Sequence, residues 1–206
     1  MLSHRSYPSI GEEDYLRHEL FSEIKHQLID GEIYAMGGAS ENHNLLALNI
    51  ASEFKNRLQG KPCRTFMADM KLKVAEDFFY PDVMVVCAED KESEYYKTAP
   101  VVIVEVLSKS TRKFDQTQKR LRCQSIPTLE QYLLIEQDKG EIQLFSRKHG
   151  WQSFYYYLGD TIHFAAWDIS IAVEAIYAQV EIEDVAAYLQ QKQQAQRAEG
   201  GADEIG

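Results

Sequence analysis

This 206-residue sequence has no long apolar runs and few cysteines. Its apolar stretches are too short to cross a membrane, and its first residues contain no apolar signal core. The three cysteines, Cys63, Cys87 and Cys123, lie far apart without a CxxC pair, which argues against disulfides and a zinc site. These absences predict a cytoplasmic protein in a reducing compartment, with no membrane partner.

Positive charge is also scarce. The 22 Lys and Arg residues against 32 Asp and Glu give a net charge of −10, which argues against general affinity for nucleic acid. The distribution is uneven, because six cations and one acid, Asp115, lie between Lys109 and Arg122. Such a basic strip suits a phosphate backbone, and a solvated helix face is the alternative explanation.

Periodicity and turn signals predict one domain over residues 1–180. Asp30-Gly31 between apolar runs indicates a β-hairpin, and Ser40 is a suitable N-cap for a following helix with one apolar face. Strands then alternate with a helix over 111–124. This order predicts an α/β or α+β fold with a mixed central β-sheet flanked by helices. Residues 181–206 are expected to form an acidic helix and a partly disordered tail.

Two short valine-rich runs, 80–86 and 100–108, read as neighbouring buried strands. The first contains Asp82 near its beginning and the second contains Glu105 near its end. An unpaired carboxylate is costly to bury, and two of them side by side suit a divalent cation that takes oxygen ligands. We therefore expect a metal site where these strands meet.

Three segments carry a resemblance to a known family: Pro81-Asp82-Val83, the run from Glu105 to Thr111, and Asp115-Gln-Thr-Gln-Lys119. They resemble the Uma-two family of endonucleases within the PD-(D/E)XK nuclease superfamily, over about residues 12–176. The resemblance implies a restriction-endonuclease-like core. One departure is Leu107, which stands where the superfamily usually has its lysine; the Uma-two pattern is similar, with the lysine at Lys119.

The resemblance also implies a chemistry, the hydrolysis of phosphodiester bonds in DNA with Mg²⁺ or Mn²⁺. Asp82, Glu105 and the main-chain carbonyl of Val106 would hold the metal. Lys119 would assist the attacking water and neutralise charge in the transition state. Glu32, after the hairpin turn, is a further catalytic candidate, and an exposed edge-strand acid is its alternative interpretation.

Substrate contacts are predicted on both sides of this acidic pair. His43 matches a histidine of the family pattern, although a lone histidine is more often structural. Lys109, Arg112 and Lys113 belong to the basic strip and would contact phosphates. Asp115 lies one helical turn before Lys119 and is expected to pair with it.

Two other interpretations remain open at this stage. A module that binds nucleic acid or protein without catalysis would explain the missing lysine at position 107. A two-carboxylate hydrolase such as a glycosidase would need no metal, but it would leave the basic strip unexplained. Because nucleases that cut both strands often act as dimers, a homodimer through the apolar runs 132–135 and 155–157 is a further hypothesis.

Overall fold

The computed structural model of the chain describes residues 9–87 and 93–200. In chain order the elements are α1 (Glu12–Glu19), β1 (His26–Ile29), β2 (Glu32–Ala35), α2 (Glu41–Arg57), β3 (Arg64–Met67), β4 (Lys71–Val74), β5 (Asp77–Phe79), β6 (Val83–Val86), β7 (Tyr96–Lys97), β8 (Pro100–Leu107), α3 (Arg112–Phe114), a π-helical turn (Asp115–Lys119), α4 (Arg120–Gln124), β9 (Gln131–Glu136), β10 (Glu141–Ser146), a 3-10 turn (Arg147–His149), β11 (Gln152–Tyr157), β12 (Thr161–Phe164), β13 (Ile169–Ala172), α5 (Val173–Ile176) and α6 (Glu183–Gly200).

The strands form three sheets, and the helices pack against them. A six-stranded sheet has the order β11-β10-β9-β8-β6-β3, with β8 and β9 parallel and the other neighbours antiparallel. A five-stranded sheet has the order β2-β1-β5-β4-β7, and β12 pairs with β13. The mixed sheet and its helices confirm the predicted α+β class, although the described strands are divided among three sheets rather than one.

The central strand β8 is buried on both faces, as its valine-rich sequence predicts. Successive side chains of a strand point to opposite faces. Val104 and Val106 accordingly join the core beneath α2, while Ile103 and Leu107 join a second core that contains Cys123 of α4. Glu105 therefore points to the face that the helical segment 112–124 covers.

Strand register explains why the two predicted acids meet. In the antiparallel pair β6–β8, Val83 lies opposite Val104. The residue before Val83 is Asp82 and the residue after Val104 is Glu105, so antiparallel pairing brings them to the same end of the ladder. The pairing of β6 with β8, inside the six-stranded sheet, therefore fixes the relative positions of Asp82 and Glu105.

Several local predictions are confirmed. The Asp-Gly turn joins β1 to β2 with Ile29 opposite Glu32, and Ser40 Oγ accepts a 3.2 Å hydrogen bond from the main-chain N–H of His43 at the start of α2. The predicted C-terminal helix is present as α6. Over residues 9–87 and 93–200, the helices are too short or too polar to span a membrane.

The segment predicted as a helix over 111–124 is helical from Arg112 to Gln124, with the π-helical turn in its middle. Other local predictions were wrong. The sequence from Ile171 to Val180 predicts a helix, but the structure has the shorter helix α5 over Val173–Ile176. The charged stretch 89–98 predicts a loop, but its residues Tyr96–Lys97 form β7 and pair with β4 in parallel. Residues 88–92 lie outside the described residues. Of the disordered tail expected over 199–206, residues 199 and 200 belong to α6, and residues 201–206 also lie outside the described residues.

The prediction of unpaired cysteines was wrong as well, because Cys63 and Cys87 form a disulfide. These residues flank the antiparallel pair of β3 and β6, in which Arg64 lies opposite Val86. The next position outward therefore places the two cysteines opposite each other, 24 residues apart in sequence, and their Cα atoms are 3.9 Å apart. Sequence spacing could not reveal this cross-strand contact. Cys123 is free and buried.

Candidate active site

Asp82 is held in place by two neighbouring elements. Its Oδ2 atom accepts a 2.7 Å hydrogen bond from the main-chain N–H of Val106 on β8. The Nε2 atom of His43, in the first turn of α2, lies 3.3 Å from the same oxygen. The fold therefore brings His43, which was predicted as a substrate contact, next to the strand acid Asp82.

Glu105 and Lys119 form a buried ion pair. Lys119 Nζ lies 2.7 Å from Glu105 Oε1, and each side chain is 3% exposed. The ammonium also lies 3.7 Å from Asp115 Oδ1 and donates a 3.3 Å hydrogen bond to the main-chain carbonyl of Tyr80. Leu107, at the position where the superfamily has its lysine, is buried in the core. The ammonium next to Glu105 comes instead from Lys119 of the helical segment.

The π-helical turn explains how one short helical segment supplies two buried charges. Asp115 and Lys119 are its first and last residues, and both are buried, whereas Thr117 within it is exposed. A π-turn widens the helix locally and occurs frequently at functional sites. The predicted pairing of Asp115 with Lys119 is confirmed by the 3.7 Å contact.

The surroundings shift the pKa values of these groups. Burial raises the pKa of Glu105 well above its ordinary value, against the opposing effect of Lys119. Burial likewise raises the pKa of Asp115. Burial alone would lower the pKa of Lys119, but the charges of Glu105 and Asp115 outweigh it and raise that pKa.

His43 responds to two opposing influences. Burial lowers the pKa of its imidazole, while the hydrogen bond and negative charge of Asp82 and a hydrogen bond to the Val106 main chain raise it. The net direction is upward, because the hydrogen bonds and the charge of Asp82 outweigh the effect of burial. The imidazole therefore acts as a partner of this acid.

The donor set is compatible with a divalent cation that takes oxygen ligands. Glu105 Oε1 is buried without a hydrogen-bond partner of good geometry, since its contact with Lys119 is ionic. Two carboxylates with a nearby main-chain carbonyl suit Mg²⁺, which keeps several of its waters. Across the described parts of the chain, no three His, Cys, Asp or Glu side chains converge as metal ligands.

Glu32 is not brought to this site by any described contact. It is exposed on β2, at the edge of the five-stranded sheet, and its carboxylate accepts a 2.7 Å hydrogen bond from Tyr34. The contacts that join Asp82, Glu105 and Lys119 do not include it. Its predicted catalytic role therefore has no geometric support here.

The basic strip is divided among different partners. Lys109 and Lys113 are exposed, whereas Arg112 is ion-paired with Glu136 and lies 3.7 Å from Asp138. The other cations are engaged as well: Lys119 with Glu105, Arg120 over the Phe145 ring, and Arg122 with Asp30 and Asp77. A continuous cationic helix face was therefore the wrong expectation.

Sequence reasoning missed a link between helix α2 and the end of β8. Ser40 Oγ donates a 2.5 Å hydrogen bond to Gln137 Oε1, and Gln137 Nε2 donates a 2.9 Å bond to the carbonyl of Leu107. This chain of contacts fixes the start of α2, and hence His43, relative to Glu105. No local pattern around Gln137 indicates such a role.

The mixed sheet, with Asp82 just before β6, Glu105 on the adjacent β8 and Lys119 from the following helical segment, is the arrangement expected of the restriction-endonuclease-like fold. The crystal structure of a protein from Anabaena variabilis, titled a "putative nuclease belonging to DUF820", has this fold. It matches with a TM-score of 0.70 at 14% identity, covering 84% of this chain and 99% of that one.

The chain belongs to the Uma2 family, described as "Putative restriction endonuclease", whose model matches residues 12–166. Two relatives come from Synechocystis sp. (strain PCC 6803). The protein slr1290 is 34% identical over 176 residues, covering 83% of this chain and 93% of the relative. The protein sll1609 is 40% identical over 129 residues, covering 60% and 73%. These matches confirm the resemblance inferred from residues 81–119.

Proposed function

We propose that this chain is a metal-dependent endonuclease that hydrolyses phosphodiester bonds in DNA. The observation that carries the proposal is the buried Glu105–Lys119 pair, 2.7 Å apart, beside Asp82 on the adjacent strand. Asp82, Glu105 and the carbonyl of Val106 would hold Mg²⁺ or Mn²⁺. When bound, the metal supplies Lewis-acid polarisation of the phosphate and a lowered pKa for water.

The charge of the site supports a divalent ion. Asp82, Glu105 and Asp115 influence one another electrostatically, and Lys119 is the cation paired among them. These carboxylates outnumber the cations beside them, which are the ammonium of Lys119 and the imidazole of His43 when it is protonated. A divalent cation offsets that excess, which is costly to maintain in a partly buried site.

The residues of the chain would then divide the remaining work. Lys119 would neutralise charge that develops on the phosphate and orient the attacking water. Asp115, 3.7 Å away, restricts the direction of the ammonium, and is therefore a positioning residue. His43 holds Asp82 Oδ2 from the opposite side of the Val106 N–H, which fixes the carboxylate.

The alternatives from the sequence lose their main support. The non-catalytic module depends on the missing lysine at position 107, and Lys119 places an ammonium next to Glu105 instead. The glycosidase interpretation needs two carboxylates without a strong cationic partner. Here the burial of Lys119 against Glu105 would serve no purpose in such a reaction.

Calorimetric titration with Mg²⁺ and Mn²⁺, together with plasmid nicking, tests the proposal on wild type and on Asp82→Ala. We expect metal binding and metal-dependent nicking in wild type, and the loss of both in the variant. Glu53→Ala is the matched control, because it removes an acid that is paired with Arg57 on α2. It should retain wild-type binding and nicking.

Three results would contradict the proposal. Nicking that continues unchanged in excess EDTA would exclude the metal, and equal nicking by wild type and Asp82→Ala would point to a contaminating nuclease. A folded wild-type protein with neither metal binding nor nicking would favour the non-catalytic module.

A further inference from the structure

Lys71, the first residue of β4, is a buried lysine without an acidic partner. It is 7% exposed, and among residues 9–87 and 93–200 its side chain makes no ion pair or hydrogen bond. Its Nζ atom lies 5.2 Å from the centroid of the Tyr80 ring. The Nζ atom of Lys71 is not fully buried. The ammonium therefore contacts solvent, while the aliphatic part of the side chain is covered.

The position of Lys71 connects it to the candidate active site. The ring of Tyr80 contacts Lys71, and the main-chain carbonyl of Tyr80 accepts the hydrogen bond from Lys119. The turn that leads into β4 is also joined to the site, because Ala68 N–H donates a 3.1 Å bond to the carbonyl of Asp82. Tyr80 therefore contacts both lysines, Lys71 through its ring and Lys119 through its main-chain carbonyl.

The nearby acids do not require Lys71 as a partner. Glu19 accepts hydrogen bonds from the His26 N–H at 2.8 Å and the Tyr80 hydroxyl at 2.9 Å. Asp69 is ion-paired with Lys25, whose Nζ lies 5.9 Å from the Tyr80 ring. Burial lowers the pKa of Lys71, and the charges of Glu19 and Asp69 offset part of that effect. The fold therefore retains a costly cation that it does not pair.

We propose that Lys71, seated on the ring of Tyr80, binds a backbone phosphate of the DNA strand next to the phosphate that is cleaved. The inference rests on the proposed function and names a substrate contact outside the metal site. A lysine ammonium binds phosphate as a compact point charge. A phosphate would supply the anionic partner that Lys71 lacks in the chain alone.

Binding of a fluorescein-labelled DNA duplex at several KCl concentrations tests this role. The measurement uses the full chain in a Glu105→Gln background, which prevents cleavage, with and without Lys71→Gln. Loss of one phosphate contact should reduce the slope of log K against log salt by about 0.9, and should weaken binding roughly eightfold at 0.1 M salt. Lys71→Arg should restore both values.

Lys192→Gln is the matched control. Lys192 also places its ammonium over a tyrosine ring, 5.8 Å from the centroid of Tyr188, but it lies on helix α6. The control should keep the slope and affinity of the parent. In the cleaving chain, Lys71→Gln should raise KM for nicking more than it lowers kcat.

The outcomes separate this inference from the function on which it rests. If wild type nicks DNA and the Glu105→Gln parent binds it, a full salt slope in Lys71→Gln would overturn the role of Lys71 alone. A lower melting temperature with an unchanged slope would likewise assign Lys71 a structural role. A parent that binds no DNA would overturn the proposed function, and this inference with it.

Discussion

Replacement of Lys119 by Met tests the ion pair at the centre of the site. Methionine keeps most of the length of the side chain and removes the charge. Lys119 and Glu105 are each 3% exposed, with 2.7 Å between Nζ and Oε1. Removal of one partner from such a pair costs about 3–5 kcal/mol of unfolding free energy, because the other charge remains buried and uncompensated.

The cost should depend on pH in a defined direction. Burial raises the pKa of Glu105, and Lys119 opposes that effect in wild type. Without Lys119, the folded-state pKa of Glu105 rises further above its unfolded-state value. A carboxyl group with a raised folded-state pKa stabilises the fold below its unfolded-state pKa, and that contribution is lost as the pH rises through the folded-state pKa. The deficit of Lys119→Met should therefore be larger at pH 8 than at pH 5.

Urea unfolding at pH 5 and pH 8 measures the unfolding free energies of wild type, Lys119→Met and the double variant Lys119→Met/Glu105→Gln. The double variant removes the stranded charge, so it should recover part of the lost stability, with a coupling energy of about 1–3 kcal/mol. A cost below about 1 kcal/mol for Lys119→Met at both pH values would refute the reasoning, because such a value is typical of an exposed ion pair.

The remaining predictions concern His43 and the disulfide. NMR titration should give His43 a pKa above its ordinary value, and Asp82→Asn should lower it because burial is then the dominant influence; an unchanged pKa in the variant would exclude the contact. The His43–Asp82 pair should stabilise the fold at low pH, and this contribution should disappear as the pH rises through the raised pKa. Cys87→Ser should lower the unfolding free energy by about 3 kcal/mol, since it opens a cross-link between residues 24 apart in sequence. A reductant should have the same effect on wild type and none on the variant, and insensitivity of wild type would contradict the bond.

The acidic pair and its lysine could be predicted because each has a local signal. Asp82 and Glu105 interrupt valine-rich runs, and adjacent strands bring such residues together at one end of a ladder. The spacing of Asp115 and Lys119 indicates one helical face. The resemblance to the family then connected these segments, which periodicity alone would have left separate.

The unpredicted features depend on partners that are distant in sequence. Arg112 was expected to contact substrate, but its ion-pair partner Glu136 lies on β9. The Cys63–Cys87 bond depends on the register of β3 and β6. The arrangement of strands in three sheets likewise follows from long-range pairing, which local patterns do not encode.

Lys71 illustrates the same limit for a binding residue. Its sequence neighbours give it the alternation of an ordinary strand, with Leu72 buried and Lys73 paired with Glu12. What distinguishes Lys71 is that its side chain has no acidic partner within residues 9–87 and 93–200, together with its contact with the ring of Tyr80. Such a property becomes visible when all contacts of the side chain are known.

The most direct test of the central claim is the anomalous difference density of crystals grown or soaked with Mn²⁺. The account predicts a peak in contact with the carboxylates of Asp82 and Glu105, and its absence from crystals of Asp82→Ala treated in the same way. A saturating concentration of Mn²⁺ that gives no peak at these carboxylates, or a peak elsewhere that supports nicking, would contradict the assigned metal site.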